Sequence, residues 1–132
     1  MAIRHQAHGF SRSDRIAEQV RRELTDLLRS EVKDPRLAPH LSLMTLTDVE
    51  VSTDYSHAKV FYTTLGDESA KNELSKGLER LAGFLRRELG KRIRLHHTPQ
   101  LHFAFDSSVE RGTHLSQLID AAVASDQKSD DE

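Results

Sequence analysis

Cysteine and tryptophan are absent from this 132-residue chain, and aromatic residues make up only 5% of it. Without cysteine the chain has no disulfides, no thiolate nucleophile and no cysteine-ligated zinc site, and its core must be mainly aliphatic. No apolar run approaches the roughly 18 residues that a transmembrane helix needs, and the N-terminal residues lack the apolar segment of a signal peptide. We therefore expect one domain in the cytoplasm, with no membrane partner.

Motifs that carry chemistry are also missing. The sequence contains no glycine-rich phosphate loop and no HExxH, GxSxG or DxDxDG pattern. The carboxylates Asp48, Glu50, Asp54 and Asp106 are scattered near predicted strand ends, where turn and edge roles are the ordinary explanation. We predict no catalytic residue, no metal ligand and no cofactor, so the chain is not expected to be an enzyme.

The net charge of −2 conceals two segments of opposite sign. Residues 76–94 contain seven lysines or arginines and two glutamates, whereas residues 125–132 contain four acidic residues and one lysine. A strongly basic segment favours an anionic partner. The acidic end has the composition of a disordered tail.

Hydrophobic periodicity predicts an α+β domain of two layers, with a three-stranded sheet covered on one face by helices. The predicted elements are, in chain order, a helix over 14–32, strands over 41–52 and 57–64, two helices separated by a kink within 74–99, a strand over 101–106 and a last short helix over 115–123. A change of phase in the first strand predicts a bulge near Thr47-Asp48. The predicted organisation is a flexible N-terminal segment over 1–13, the folded domain over 14–124 and the acidic tail over 125–132.

Two signals lie on opposite sides of the segment 74–99 when it is projected at about 100° per residue. One side is apolar, with Leu74, Leu78, Leu81, Leu85 and Leu89. The other side is cationic, with Lys76, Arg80, Arg87, Lys91 and Arg94. Any amphipathic helix has a charged outer face, but like charges four residues apart destabilise an isolated helix by roughly 0.2–0.5 kcal/mol per pair. A row of one sign therefore favours a phosphate backbone as its partner.

Gly83 projects near the edge of the same cationic side. A glycine inside a helix costs about 0.5–1 kcal/mol relative to alanine, so it marks either a break between two helices or a place where another backbone comes close. A simple kink and a kink against which RNA packs are both consistent with it. His96 and His97 adjoin the basic residues 76–94, where a partial positive charge near RNA is a better explanation than catalysis.

Five short motifs, in this order, resemble those of the bacterial ribosome-binding factor A family. They are Asp34-Pro35-Arg36-Leu37, Val60-Phe61-Tyr62-Thr63, Gly83-Phe84-Leu85-Arg86 with Leu89-Gly90-Lys91, Pro99-Gln100-Leu101-His102-Phe103 and Asp106-Ser107-Ser108-Val109-Glu110. The resemblance covers about residues 15–120. It implies a type II KH-like fold in which the usual Gly-x-x-Gly loop is replaced by an Ala-x-Gly kink between two helices.

The resemblance also implies a function. It implies binding to the free 30S ribosomal subunit and its 16S rRNA, assistance in late maturation and 5′-end processing of the precursor rRNA, a role in cold adaptation, and no catalytic activity. One departure concerns the kink, predicted at Leu81, Ala82 and Gly83: Leu81 occupies the position of the family's kink alanine.

These considerations lead to one main hypothesis, in which the chain acts as a monomer, without a small-molecule substrate, and contacts rRNA through its basic residues. The predicted contacts are Lys76, Arg80, Gly83, Arg86, Arg87, Lys91, Arg92, Arg94 and the loop residue Arg36. The alternative is a protein-interaction module whose basic helix binds an acidic protein surface. A more distant alternative is a small nuclease that uses Asp106 and Glu110.

Overall fold

The structure is a computed structural model that describes residues 11–108. Its helices and strands are α1 Arg12–Ser30, α2 Ala38–Leu41, β1 Met44–Val51, β2 His57–Thr64, α3 Glu68–Arg92 and β3 Gln100–Phe105. The predictions for the first ten residues, the last short helix and the acidic tail lie outside the described residues. The described part is the predicted α+β arrangement of a three-stranded sheet with helices.

The sheet has the strand order β1-β2-β3. β1 and β2 form an antiparallel hairpin, and β3 pairs parallel to β2 after the crossover through α3. The register between β1 and β2 shifts between Leu46 and Asp48, which confirms the predicted bulge. α1 packs against β1, α3 packs against β3, and the two helices contact each other. This order of elements is consistent with the KH-like arrangement that the resemblance implies.

The local sequence explains where the first two helices begin. The Ser11 hydroxyl accepts a hydrogen bond from the Asp14 amide at 3.2 Å, and the Asp14 carboxylate accepts one from the Ser11 amide at 3.3 Å. This capping box starts α1 two residues before the predicted position. The prediction that Leu41 begins a strand is wrong, because Pro39 stands at the start of the short helix α2, which carries the chain through Leu41.

The helix α3 is one continuous element over Glu68–Arg92, so the two helices predicted in this segment are not separated by a break. Asp67 caps its N-terminus by accepting a hydrogen bond from the Ala70 amide at 3.0 Å, and the helix runs through Leu81, Ala82 and Gly83 without interruption. The energy cost of one interior glycine is about 1 kcal/mol, which is small beside the burial of the surrounding leucines. Leu74, Leu78, Leu85 and Leu89 are fully buried, and Leu81 packs against the same core.

Two glycines of α3 have different surroundings. A Cβ atom added to Gly77 would lie 2.6 Å and 2.7 Å from the Leu37 methyl carbons, and Leu37 is itself a core residue. A Cβ atom added to Gly83 would meet nothing closer than Arg87 Nη1 at 3.9 Å. Within the protein, the close packing that the sequence suggested at Gly83 therefore occurs at Gly77, against Leu37.

This difference gives a matched pair of variants. Gly77→Ala is expected to lower the free energy of unfolding by about 1 kcal/mol, because crowding Leu37 costs about 1–3 kcal/mol and alanine returns only 0.5–1 kcal/mol through helix propensity. Gly83→Ala is expected to raise it by about 0.5–1 kcal/mol. Urea unfolding followed by circular dichroism measures both, and equal effects at the two positions would contradict the packing described here.

Candidate nucleic-acid interface

The exposed side of α3 carries the basic face, which we define by Lys76, Arg80, Arg87 and Lys91. All four side chains are exposed, and the leucines on the opposite side of the helix are in the core. Burial of the leucines fixes the rotation of α3, because a turn of the helix about its axis would expose them. The sheet and core thus hold the four cations toward solvent as a group.

Two cations of the basic face form ion pairs within the protein. Arg80 Nη2 lies 3.3 Å from Asp34 Oδ2, and Lys91 Nζ lies 2.9 Å from Glu88 Oε2. The Arg80 and Lys91 side chains remain 62% and 71% exposed, respectively. Exposed ion pairs of this kind contribute about 0–1 kcal/mol, so a phosphate group can compete for either cation.

Lys76 and Arg87 form no ion pair with any residue in the described range 11–108. They are also exposed, so their charge is directed only at solvent. Between them lies Gly83, which is exposed and has open space where a side chain would be. The centre of the basic face is therefore the part where an anionic backbone can come closest to α3.

Arg94 and Arg36 flank this face from loops. α3 ends at Arg92 because Ile93 has extended backbone angles, φ −116° and ψ 125°, so Arg94 is not part of the helical row as predicted. Arg36 follows Asp34, whose Oδ1 accepts a hydrogen bond from the Arg36 amide at 2.9 Å. Both arginines are exposed and form no ion pair within the described part of the chain.

Arg86 has a different role from Arg87, its neighbour in the sequence. Its Nε and Nη2 atoms donate hydrogen bonds to the Thr98 carbonyl oxygen at 3.1 Å and 2.9 Å. Gly90 permits this close approach, since a Cβ atom there would lie 2.8 Å from Thr98 Oγ1. Arg86 thus holds the loop before β3 against α3, a contact that the spacing of charges did not predict.

Arg92 lies away from the basic face, contrary to its predicted grouping with the RNA contacts. Its side chain is 28% exposed and lies among three carboxylates near α1: Glu23 at 3.3 Å, Asp26, and Glu31 at 3.9 Å. The hydrogen bond with Asp26, followed by the one with Glu23, raises the pKa of Arg92 above its ordinary value. The charge of Arg92 is therefore used to join α3 to α1.

The loop before β3 adds two histidines to this end of the molecule. His96 and His97 are exposed, and their ring centroids lie 4.5 Å apart in an edge-to-face arrangement. Together with Arg86, Arg87, Gly90 and Thr98 they line a cleft of about 340 Å³.

Residues 11–108 contain neither a metal-binding cluster nor a membrane-spanning helix. No group of three or more histidine, aspartate or glutamate side chains there is arranged to hold a metal ion. None of the helices in this range is long and apolar enough to cross a membrane. Asp54, one of the scattered carboxylates, accepts hydrogen bonds from Ser56 and Ser52, which lower its pKa to about 2. The side chain is therefore committed to its turn as an ionised acceptor.

Comparisons with known proteins agree with this arrangement. The family model of ribosome-binding factor A matches residues 12–119. Ribosome-binding factor A of Aromatoleum aromaticum is 60% identical over 117 residues, covering 89% of each chain, and that of Dechloromonas aromatica is 60% identical over 116 residues, covering 88% of this chain and 90% of the other. The crystal structure of ribosome-binding factor A from Thermus thermophilus superposes with a TM-score of 0.59 at 26% identity, covering 71% of this chain and 96% of the other.

Proposed function

The chain belongs to the ribosome-binding factor A family, and on this premise we propose that it binds the free 30S ribosomal subunit by placing the basic face on 16S rRNA. One observation carries the proposal. Lys76 and Arg87 at the centre of that face are exposed and form no ion pair within residues 11–108. The names of its relatives specify a ribosome-binding factor, and structured rRNA is the main polyanion that a ribosome offers. Phosphate contacts of this kind supply affinity without reading sequence.

We further propose that the protein assists late maturation of the subunit, including 5′-end processing of the precursor rRNA, by binding and not by catalysis. The family resemblance implies this role, and the commitment of Asp54 to its turn supports the absence of an acid–base pair there. Binding in the cytoplasm as a monomer is part of the same proposal. Its effect on processing would come from the conformation of rRNA that the bound protein favours.

Salt dependence tests the contact with phosphates. If about five phosphates are neutralised, the logarithm of the association constant should fall with the logarithm of salt concentration at a slope of roughly −3.5 to −4.5. Co-sedimentation of the purified protein with free small subunits over a range of potassium chloride concentrations measures this slope. A slope near zero would contradict the assignment of the basic face to a polyanion.

An acidic protein surface on the subunit could produce a similar slope, and ribonuclease distinguishes the two partners. We expect digestion of the subunit rRNA to release the protein from the sedimenting material. The matched control is a sample in which the nuclease is inhibited before it is added. Binding that survives complete digestion would identify a ribosomal protein as the partner instead.

A further inference from the structure

Tyr55 is the only residue other than glycine in the range 11–108 with a positive φ angle, which is 59°. A bulky side chain in this left-handed region is uncommon and strained by about 1–3 kcal/mol, and glycine or asparagine would adopt the same backbone more easily. Such strain persists where the surrounding structure imposes it, and it is found most often at functional sites. The identity of residue 55 therefore needs a reason beyond the turn itself.

The turn between β1 and β2 is held together without the Tyr55 ring. Asp54 Oδ1 accepts hydrogen bonds from Ser52 Oγ at 2.8 Å, from the Ser56 amide at 3.1 Å and from Ser56 Oγ at 2.7 Å. The Tyr55 amide donates to the Ser52 carbonyl oxygen at 2.9 Å. These contacts use only the backbone of residue 55, so its aromatic ring is not required to form the turn.

The ring packs against the edge of the hydrophobic core and also forms one wall of a cleft between α1, this turn and the loop before β3. The Tyr55 cleft has a volume of about 260 Å³ and is lined by Arg12, Ile16, Tyr55, Leu95, His96 and His97, with Asp54 at the turn. Arg12 places its guanidinium carbon 5.7 Å from the centroid of the Tyr55 ring. This volume is below the roughly 300–1,000 Å³ typical of pockets for drug-sized ligands, and it suits one smaller planar group.

The Tyr55 cleft shares two lining residues with the cleft at the end of the basic face. His96 and His97 line both clefts, and Arg86 and Arg87 line the second one. A nucleotide at this position could therefore have its phosphate near Arg87 and its base beside Tyr55. The ionised Asp54 carboxylate at the turn would repel an acidic peptide side chain, whereas a nucleic-acid base is uncharged, which favours a base as the occupant.

We propose that the Tyr55 cleft binds an unpaired RNA base, stacked on the tyrosine ring and flanked by Arg12 and the two histidines. The proposal rests on the function proposed above, since the phosphates of the same strand would lie along the basic face. Recognition of single-stranded RNA commonly uses unstacked bases held on aromatic rings and arginine planes, in addition to phosphate contacts. The Tyr55 cleft would thus contact a base of the RNA strand, whereas the basic face contacts only its phosphate backbone.

The test compares two fluorescently labelled RNA probes with equal numbers of phosphates: a ten-nucleotide adenosine strand and a ten-nucleotide abasic strand. At low salt, the full-length wild-type protein should bind the adenosine strand about fivefold or more tightly than the abasic strand, given the size of base–aromatic stacking. Tyr55→Asn, which suits the positive φ angle, should bring this ratio close to one. Tyr55→Phe retains the ring and should retain the ratio.

Circular dichroism verifies that each variant is folded, and comparing ratios removes effects common to both probes. The charge-reversed variant Lys76→Glu/Arg87→Glu should bind both probes more weakly while keeping the wild-type ratio. Failure of wild-type protein to prefer adenosine, including failure to bind it measurably, overturns the proposal, as does an unchanged ratio in Tyr55→Asn. The function proposed above fails on a separate result, which is normal binding of the charge-reversed variant to small subunits.

Discussion

Replacing Lys76 and Arg87 together by glutamate is expected to weaken binding to free small subunits by about a hundredfold or more at moderate salt, and to reduce the magnitude of the salt slope by about two. Both side chains are exposed, and neither forms an ion pair within residues 11–108, so the substitutions remove no such contact inside the protein. Each glutamate would also repel the phosphate that the cation had attracted. Co-sedimentation with purified subunits measures the loss.

The matched control for this variant is on α1. Arg15 and Arg29 are exposed arginines on one side of that helix, neither forms an ion pair within residues 11–108, and replacing both by glutamate changes the net charge by the same amount. We expect the α1 variant to bind subunits with an affinity within a few fold of the wild type. An equal loss of affinity in the two double variants would show that binding depends on the net charge of the protein and not on the basic face. If neither loses affinity, the basic face is not the binding surface.

The choice of Lys76 and Arg87 depends on the structure. Charge spacing alone points equally to Lys91, but Lys91 pairs with Glu88, and its replacement would also release that carboxylate. The two effects would be difficult to separate in one measurement. Lys76 and Arg87 avoid this difficulty, and circular dichroism before and after substitution should give superimposable spectra.

Leu85→Ala is expected to lower the free energy of unfolding by about 2–5 kcal/mol, because it removes most of a fully buried side chain and leaves a cavity. Leu85 lies opposite the basic face, in the part of the core that α3 shares with the sheet. A loss of this size would lower the thermal midpoint by about 8–20 °C, at roughly 4 °C per kcal/mol for a chain of this length. Urea unfolding monitored by circular dichroism gives the free energy directly.

Leu65→Ala is the control for this prediction. Leu65 is 88% exposed in the segment between β2 and α3, so its truncation should change the free energy of unfolding by no more than about 0.5 kcal/mol. The two variants delete the same atoms and differ only in burial. Similar losses at both positions would show that α3 does not pack on the sheet through the face assigned here.

Periodicity was sufficient to predict most of the fold. β2 has the predicted bounds, and the bulge in β1 follows from the change of phase between Leu46 and Val49. The leucines of α3 are on the core side because their spacing matches the helical repeat. The strand predicted to begin at Leu41 begins too early. The helix α2 has four residues, which is too short to show a helical repeat, and only the position of Pro39 indicates it.

The candidate site was less predictable, because charge spacing describes one helix at a time. The position of Arg92 depends on carboxylates of α1, and that of Arg86 depends on a carbonyl in the loop before β3. Gly83 and Gly77 look alike in the sequence, and only the position of Leu37 shows which of them is required for packing. A side-chain contact between residues distant in the sequence is not visible in the local sequence pattern, and neither is the positive φ angle of Tyr55.

The parallel pairing of β3 with β2 also has a consequence for synthesis of the chain. The β1–β2 hairpin can close as soon as residue 64 has left the ribosomal exit tunnel, whereas β3 follows only after residues 65–99 have been made. At roughly 5–20 residues per second, translation of that interval takes about two to seven seconds. During this time one edge of β2 has its backbone groups unpaired and open to other extended chains. The nascent protein is thus most prone to misassociation just before β3 emerges.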